Sequence, residues 1–357
     1  MPNVFQISNE SVDLIIPFQE GSTFNIDYIL QRLSEDAECI RTIYVVHSRK
    51  ANIRSSSALQ SSEYPRDEDI SSQPANRLGL CIDHVFVAKP VFPGAARNIG
   101  IKRSRAKFIA FLDVNTLPPK DWLKTSLTTI DKLTLDWLPG KTRYIASNYI
   151  QKMILAASTG FNPLITLPGS VISRKCFVET GYMLTDVRAA EDISFMRRLR
   201  SFYPQNVPLE GIPELHYKLQ SSNPVFYIYK WFRNYSSSEP YVILGVQKLA
   251  SSFVFAALIF LLTYSWNASF ARWDQNSFFY VPNATKGAAL LIIAAYVLLR
   301  AIKVPWDKGC FSGPNRCSVL DILPIAAISL LLDLSKIAAF CLIALRKLYH
   351  PNGTEAS

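Results

Sequence analysis

The spacing of apolar positions changes along the chain, and the change divides it in two. Up to about residue 240, short apolar runs alternate with charged and polar stretches, whereas longer apolar runs dominate after Tyr241. Short apolar runs bounded by turn residues predict buried strands, and uncharged runs of about twenty residues predict transmembrane helices. We therefore predict a domain outside the membrane over residues 1–240 and a membrane domain over residues 241–357.

The first part is predicted to alternate strands with helices. Predicted strands cover residues 12–17, 40–46, 82–87 and 108–112, and predicted helices cover residues 26–33, 93–105 and 193–200. The Ser-rich stretch 48–77 is predicted to be an exposed loop or insert. Strands separated by helices favour an α/β fold with a mostly parallel, doubly wound sheet, in which ligands lie at the carboxyl ends of the strands. Asp113 falls at such an end.

The second part is predicted to hold about three membrane helices, at residues 249–271, 281–302 and 320–345. The third carries Asp321, Asp333 and Lys336, so it could instead be bent, re-entrant or interfacial. Asp333 and Lys336 are three positions apart and could pair on one helix face. Residues 218–241 interleave aromatic with basic side chains and are predicted to form an interfacial segment.

Composition and charge narrow the function classes. The chain of 357 residues is 49% hydrophobic and 18% charged, and its formal charge is +10. An excess of basic residues suits the binding of an anionic ligand, a nucleic acid or an anionic lipid surface. A nucleic-acid binder is disfavoured, because the aromatic and basic segment adjoins a predicted span and no nucleic-acid motif is present.

The orientation in the membrane follows from the loops. Residues 303–318 contain Lys303, Lys308 and Arg316, whereas residues 267–285 have one Arg and one Asp. The positive-inside rule then places the first domain in the cytoplasm. Asp13 interrupts the first apolar run, so a secretory signal is not expected. The expectation is an integral membrane protein with a cytoplasmic domain, in the plasma or inner membrane if the source is bacterial.

Two acidic motifs are candidates for chemistry. Asp113-Val114-Asn115 follows a predicted strand and could present two oxygen ligands to Mg²⁺ or Mn²⁺. On its own, such an Asp is more often a turn or cap residue. Glu191-Asp192 could equally be acidic first-turn residues that complement a helix dipole.

The longer sequence segments around these two motifs favour a catalytic role over a role as turn or cap residues. Residues 94–101 (Gly-Ala-Ala-Arg-Asn-Ile-Gly-Ile), 108–113 (Phe-Ile-Ala-Phe-Leu-Asp) and 117–123 (Leu-Pro-Pro-Lys-Asp-Trp-Leu) resemble the central signature of family 2 glycosyltransferases with the GT-A fold. Residues 167–177, Gly181-Tyr182 and Ala190-Glu191-Asp192 are similar to the family's acceptor-side segment. The resemblance covers residues 12–199, and the apolar helices after it resemble those of members that build lipid-linked or exported glycans.

The resemblance implies a role for each matching residue. It implies that the nucleotide-sugar donor is contacted by a loop and by three further residues. The loop consists of Pro17, Phe18, Gln19 and Glu20, and the further residues are Arg97, Asn98 and Asp113. It implies that Asp113 also binds a divalent metal, Mg²⁺ or Mn²⁺, and that Asp192 is the catalytic base. Glu191 could raise the pKa of Asp192 through like-charge repulsion, or could orient it.

Three positions qualify the resemblance. His47 stands where the family usually presents an Asp that reads the base, and Asn115 ends the metal motif in place of an Asp. His216 is a candidate third metal ligand or diphosphate contact, although a lone His is more often structural. These departures leave the base and the metal dependence open.

The leading hypothesis is an inverting glycosyltransferase of the hexosyltransferase type. It would transfer a sugar from a nucleotide-sugar to a lipid-linked or membrane-presented acceptor at the cytoplasmic face, in polysaccharide or glycolipid biosynthesis. The alternative, suggested by His47 and Asn115, is a non-catalytic GT-A-like membrane subunit that binds a nucleotide-sugar or a partner protein.

Overall fold

The structure, a computed structural model, describes residues 12–19, 26–49, 70–204, 211–236, 266–282, 284–313 and 316–349. The chain divides into two compact units. We name them the sheet unit, residues 1–146 and 163–220, and the helical unit, residues 147–162 and 221–357. This division differs from the predicted boundary at residue 240, because residues 147–162 and 221–240 group with the helices.

The sheet unit is an α/β fold, as predicted. Its strands are β1 (Val12–Gln19), β2 (Ile40–Ser48), β3 (Ile70–Arg77), β4 (Leu80–Val87), β5 (Phe108–Phe111), β6 (Thr116–Leu117), β7 (Trp137–Ile145), β8 (Leu164–Ser173) and β9 (Glu214–Lys218). Its helices are α1 (Ile26–Leu33), α2 (Pro93–Arg103), α3 (Trp122–Leu133), α5 (Arg174–Thr180) and α6 (Glu191–Phe202), while α4 (Tyr149–Ala157) belongs to the helical unit.

The described strands form one sheet in the order β3-β4-β2-β1-β5-β8-β7-β9-β6. The strands β4, β2, β1 and β5 are parallel neighbours, which confirms the predicted parallel arrangement for this part of the sheet. Beyond β5 the sheet becomes mixed, since β8 is antiparallel to both β5 and β7. The carboxyl ends of β1, β2 and β5 therefore lie along one sheet edge.

The centre of the sheet is buried on both faces, which explains its continuous apolar runs. On β1, Leu14 and Ile16 pack with α1 and α3, whereas Ile15 packs with α2 and α6 on the opposite face. Asp13 breaks this run but is fully buried, and its carboxylate accepts hydrogen bonds from Arg41, Ser104 and two backbone N–H groups. A buried carboxylate with these partners is compatible with a central strand.

The prediction of a loop over residues 48–77 is wrong for its last part. Ile70–Arg77 forms β3, which pairs antiparallel with β4 across a turn at Leu78 and Gly79. Its side chains are mostly exposed and polar. An edge strand with one solvated face has no apolar run to reveal it, and Pro74 is tolerated at an edge. Residues 50–69 lie outside the described part of the chain.

The helical unit contains α4, α7 (Pro224–Ser236) and α8 (Ala284–Val297), a π-helix (Leu298–Lys303), α9 (Val304–Asp307), and α10 (Ile322–Tyr349) after a 3-10 turn (Val319–Asp321). Apolar side chains of α4 and α10 form a small core with Cys310 and Cys317, both of which are free thiols. Tyr149 on α4 donates a 2.9 Å hydrogen bond to Asp321.

One helix among the described residues, Val319–Ile343, is long and apolar enough to cross a membrane. It corresponds to the third predicted span. Most of the first predicted span, residues 249–271, lies outside the described residues. The second, residues 281–302, contains α8 and most of the π-helix, and its crossing of a membrane stays a prediction.

Candidate active site

Asp113 lies two residues after the end of β5, at the edge where parallel strands end. Its backbone is held by Thr116, whose hydroxyl donates to the Asp113 carbonyl at 2.6 Å and accepts from the Asp113 N–H at 3.1 Å. The Asp113 side chain is 25% exposed. The turn thus fixes the backbone while the carboxylate remains accessible to a ligand.

Arg97, in the second turn of α2, connects Asp113 with Glu191. Its Nη2 is 2.8 Å from Oδ1 of Asp113, and its Nη1 is 2.8 Å from Oε1 of Glu191. The Arg97 side chain is only 5% exposed. The two acidic motifs, which are distant in sequence, therefore share one buried guanidinium.

Glu191 and Asp192 begin α6 directly after a residue in an unusual conformation. Ala190 has φ +71°, in the left-handed region that a residue with a Cβ rarely adopts. Glu191 is buried, whereas Asp192 is partly exposed and accepts a 2.8 Å hydrogen bond from the N–H of Ile193. Strain of this kind concentrates at functional sites.

Gly94, at the start of α2, allows this helix to approach the acidic pair. A Cβ at Gly94 would lie 2.0 Å from the carbonyl oxygen of Leu184 and 3.0 Å from Cγ of Glu191. The lack of a side chain therefore permits the packing that brings α2 against α6.

Burial changes the proton affinity of this cluster. It raises the pKa of Glu191 to about 7, although Arg97 acts in the opposite direction. Burial also raises the pKa of Asp192 above its ordinary value. Burial alone would lower the pKa of Arg97, but the charges of Asp113, Glu191 and Asp192 raise it. The cluster thus combines a permanent cation with two carboxyl groups that hold protons more tightly than usual.

Asn98 is engaged with the segment that precedes α6. Its amide donates to the carbonyl of Met183 at 2.8 Å and accepts from the Met183 N–H at 3.1 Å. Since both ends of the amide are used, its observed contacts hold the Met183 segment in place. Its predicted contact with a donor stays a prediction.

The predicted nucleotide residues Pro17, Phe18 and Gln19 end β1, and Glu20 lies outside the described residues. The His47 ring stacks on Phe86 with ring centroids 4.5 Å apart and lies 5.1 Å from Phe18. Its Nε2 is 2.9 Å from Nδ1 of His84. These neighbours form an aromatic cluster, and burial together with His84 lowers the pKa of His47 to about 4.

Sequence reasoning missed His84 and Phe86, although both were predicted to lie on a strand. They are two positions apart on β4, so they share one face of the sheet. Phe86 pairs directly with His47 in the parallel ladder. The period of two along β4 was the available signal, but the partner strand could not be identified from it.

The predicted metal ligands Asn115 and His216 lie in different settings. Asn115 is buried, and its Nδ2 has no hydrogen-bond partner among the described residues. His216 is 54% exposed, with Nε2 4.0 Å from Glu214, and pairs across the ladder with Leu117. The described residues contain no group of three His, Cys, Asp or Glu side chains that could hold a metal ion.

Asp113 nevertheless fits a simpler metal site. Arg97 contacts its Oδ1, which leaves Oδ2 for a cation. Mg²⁺ is usually held by one or two carboxylates together with substrate phosphates, not by an all-protein cage. As oriented, the buried amide nitrogen of Asn115 is a donor and suits a phosphate oxygen better than a cation.

Comparisons with known proteins give a structural likeness only. No protein-family model matches the chain, and no curated protein matches it. A solved structure of S. aureus TarS 1–349 in complex with UDP-GlcNAc is 13% identical with a TM-score of 0.41, covering 93% of this chain and 92% of that one. The mannosyltransferase PcManGT from Pyrobaculum calidifontis, in complex with GDP-Man and Mn²⁺, is 14% identical with a TM-score of 0.44, covering 96% and 88%.

Proposed function

We propose that the chain is an inverting glycosyltransferase that uses a nucleotide-sugar donor and a lipid-linked or membrane-presented acceptor. The observation that carries this proposal is the contact of Arg97 with both Asp113 and Glu191. It supports the proposal because the two motifs of the family 2 resemblance meet in one partly accessible cluster. If the sequence resemblance were due to chance, there would be no reason for the Asp113 motif and the Glu191-Asp192 motif to share a contact in the folded chain.

The proposed reaction is a single displacement. The acceptor hydroxyl oxygen attacks the anomeric carbon, the bond from that carbon to the diphosphate oxygen breaks, and the hydroxyl proton passes to Asp192. The nucleoside diphosphate leaves with the bonding electron pair. Asp192 suits the role of base because it is partly exposed and its pKa is raised, and a base acts best with a pKa near the working pH.

The charge of the cluster supports a divalent cation. Asp113, Glu191 and Asp192 are three carboxyl groups around the single guanidinium of Arg97. The charge of Arg97 is already shared among these carboxyl groups, so little of it is left for the leaving diphosphate. Asp113 would hold Mg²⁺ or Mn²⁺, which would supply positive charge to the leaving diphosphate.

We place the nucleotide base at the aromatic cluster of Phe18, His47 and Phe86. A flat apolar ring surface suits stacking with a base. His47 is neutral at pH 7 because its pKa is about 4, so it can offer hydrogen bonds without a charge. The base would then be recognised without the carboxylate that the family usually presents.

An acceptor in the membrane agrees with the exposed surface of the helical unit. Leu290 and Leu291 on α8 and Leu323 on α10 are each more than 60% exposed, at 67%, 66% and 75%. Exposed apolar side chains on helices of this kind suit lipid contact. The aromatic and basic residues of α7 would lie at the lipid head groups, with the sheet unit on the cytoplasmic face.

Thermal unfolding with a panel of nucleotide-sugars tests the donor. The full-length protein in detergent is measured with Mg²⁺ or Mn²⁺ and with a chelator. A donor present at 100 times its Kd should stabilise the folded protein by about 2.7 kcal/mol. Asp113→Asn should lose this shift, whereas Asp131→Asn on the exposed surface of α3 should keep it.

Transfer of radiolabelled sugar to a membrane lipid extract tests the reaction itself. Labelled product in the organic phase supports the proposal. A donor that stabilises the protein without transfer or hydrolysis would favour the non-catalytic subunit. No stabilisation by any donor, with the protein folded, would contradict both.

A further inference from the structure

Three ring side chains lie in a row at the carboxyl ends of three neighbouring parallel strands. Phe18 on β1 pairs with His47 on β2, and His47 pairs with Phe86 on β4. Each of the three is the last residue but one of its strand. Ligands of parallel sheets bind at this edge, where the proposed function places the nucleotide base. His47 is the member of the row whose ring carries hydrogen-bonding nitrogen atoms.

His84 contacts His47 from a position further from the strand ends. It lies two residues before Phe86 on β4, so it shares the face of the sheet that carries the three rings. Its Nδ1 is 2.9 Å from Nε2 of His47, and the two ring centroids are 5.2 Å apart. Among the described residues, His84 is the only hydrogen-bond partner of the His47 ring. Nδ1 of His47 is therefore the ring nitrogen left for a ligand.

The two histidine rings are both neutral at pH 7. Burial and the neighbouring His84 lower the pKa of His47 to about 4, and burial lowers the pKa of His84 below its ordinary value. A neutral imidazole has one donor nitrogen and one acceptor nitrogen. Since the two facing nitrogens are 2.9 Å apart, one of them carries a hydrogen and the other accepts it.

This pair has two proton arrangements that keep the same central hydrogen bond. In the first, Nδ1 of His84 donates to Nε2 of His47, and Nδ1 of His47 carries a hydrogen that it can donate to a ligand. In the second, Nε2 of His47 donates to Nδ1 of His84, and Nδ1 of His47 is an acceptor.

The change from the first arrangement to the second leaves both rings neutral. One proton leaves Nδ1 of His47, one crosses the central hydrogen bond from His84 to His47, and one is taken up at Nε2 of His84. Both rings are partly exposed, so water can exchange the two outer protons. The pair can therefore adjust to the ligand without acquiring a charge.

We infer that His84 is a positioning residue that lets His47 present either a donor or an acceptor to the nucleotide base. The inference rests on the proposed function, because it needs a base at the aromatic cluster. A carboxylate would only accept, so it would suit the imino N–H of uracil or guanine and oppose the lone pair of cytosine or adenine. The His47–His84 pair matches both kinds of base, so the site should discriminate weakly between them.

Calorimetric titration of the full-length protein in detergent tests this inference. The probes are two pairs of nucleotides, UDP with CDP and GDP with ADP, and Mg²⁺ is present throughout. The measurement is made at pH 8, above the ordinary histidine pKa of about 6.5, so that His47 stays neutral in every variant. The pair that contains the tightest-binding nucleotide decides. Wild type should bind its two members with Kd values within about tenfold of each other.

His84→Asp fixes the proton arrangement without touching the base. Oδ1 of an aspartate is attached to Cγ, as Nδ1 of a histidine is, so it takes the same place but can only accept. Nε2 of His47 must then donate, and Nδ1 of His47 becomes an acceptor. The Kd of CDP relative to UDP, or of ADP relative to GDP, should rise at least about tenfold, because two acceptors would face each other.

His84→Asn is the matched conservative variant. Its amide can present either the oxygen or the nitrogen to His47, so it should keep the wild-type ratio of Kd values. A purely structural role of His84 would change both Kd values together and leave their ratio unchanged. If His84→Asp does not fold, His47→Asp provides the second test, because it introduces an acceptor-only group directly and should raise the same ratio.

Two results would overturn the inference and leave the proposed function intact. One is a wild-type preference of more than about tenfold within the deciding pair, which a site with one fixed hydrogen-bonding group would give. The other is an unchanged ratio in the folded aspartate variant. Both results include nucleotide binding. The lack of binding by all four nucleotides, with the protein folded, would contradict the proposed function as well.

Discussion

The guanidinium of Arg97 donates a 2.8 Å hydrogen bond to Glu191, a residue 94 positions further along the chain. The same guanidinium contacts Asp113. A buried cation between two carboxylates costs a large free energy if any partner is removed, because the remaining charges are left uncompensated. This arrangement gives a prediction about stability that is separate from catalysis.

Arg97→Gln should lower the free energy of unfolding by about 3–5 kcal/mol, since Glu191 and Asp113 would lose their shared cation. Urea denaturation followed by tryptophan fluorescence measures this change. Arg105→Gln is the matched control, because Arg105 is exposed, and it should stay within about 0.5 kcal/mol of wild type. Equal stability of the two variants would contradict a structural role for the Arg97 contacts.

Asp192→Asn should reduce sugar transfer by about 10² or more while donor binding is retained, as expected for the loss of a general base. Glu191→Gln should cost much less, because Glu191, with a pKa of about 7, is already substantially protonated near neutral pH. Initial rates and donor Kd are measured for both. A larger rate loss in Glu191→Gln would assign the base to Glu191, and equal loss of rate and binding in Asp192→Asn would indicate a structural role.

Gly94→Ala should disturb α2 and α6 together, because its Cβ would meet the Leu184 carbonyl. Overpacking of this kind typically costs about 1–3 kcal/mol. Gly211→Ala provides the control, since a Cβ at Gly211 would have no heavy atom of the described residues within 4 Å apart from its chain neighbours. Unfolding free energies of both variants are compared. If Gly94→Ala is as stable as Gly211→Ala, the close approach of the two helices is not required.

Acid should destabilise the aromatic cluster through His47. An unfolded His binds a proton below pH 6.5, whereas folded His47 resists protonation until about pH 4. The stability that His47 contributes is therefore present above pH 6.5 and is lost as the pH falls towards 4, by on the order of 2–3 kcal/mol. Glu191 acts in the opposite sense, because its raised pKa favours the folded state at low pH.

Comparison of wild type with His47→Phe isolates the contribution of His47, since phenylalanine keeps a flat ring between Phe18 and Phe86. Urea denaturation at intervals from pH 7 to pH 4 should give a smaller loss of stability for His47→Phe. Parallel pH curves for the two proteins would exclude His47 as the source.

The central strands could be predicted because burial on both faces leaves a continuous apolar run. β1, β2, β4 and β5 were all located, and α1 was predicted with its observed ends. The predicted pairing of Asp333 with Lys336 is also confirmed, because three positions along a helix fix the neighbour. In each case the signal is local.

The remaining features depend on contacts between distant residues. Arg300 joins Asp333 from a different helix, and the burial of Arg97 depends on two separate motifs. The exposed strand β3 has no apolar pattern. The sequence of α4 does not indicate that this helix packs with helices much later in the chain. Sequence periodicity reports which face is buried but does not name the partner.

The place of α4 has a consequence for synthesis. Its Tyr149 bonds to Asp321, which lies 172 positions later. At roughly 5–20 residues per second, the ribosome makes that partner about ten to thirty seconds after α4. During this interval the buried side of α4, with Met153 and Ala156, has no α10 to cover it. A nascent chain in this state offers a natural binding site for a chaperone, and any fragment that ends near residue 220 would keep that exposed surface permanently.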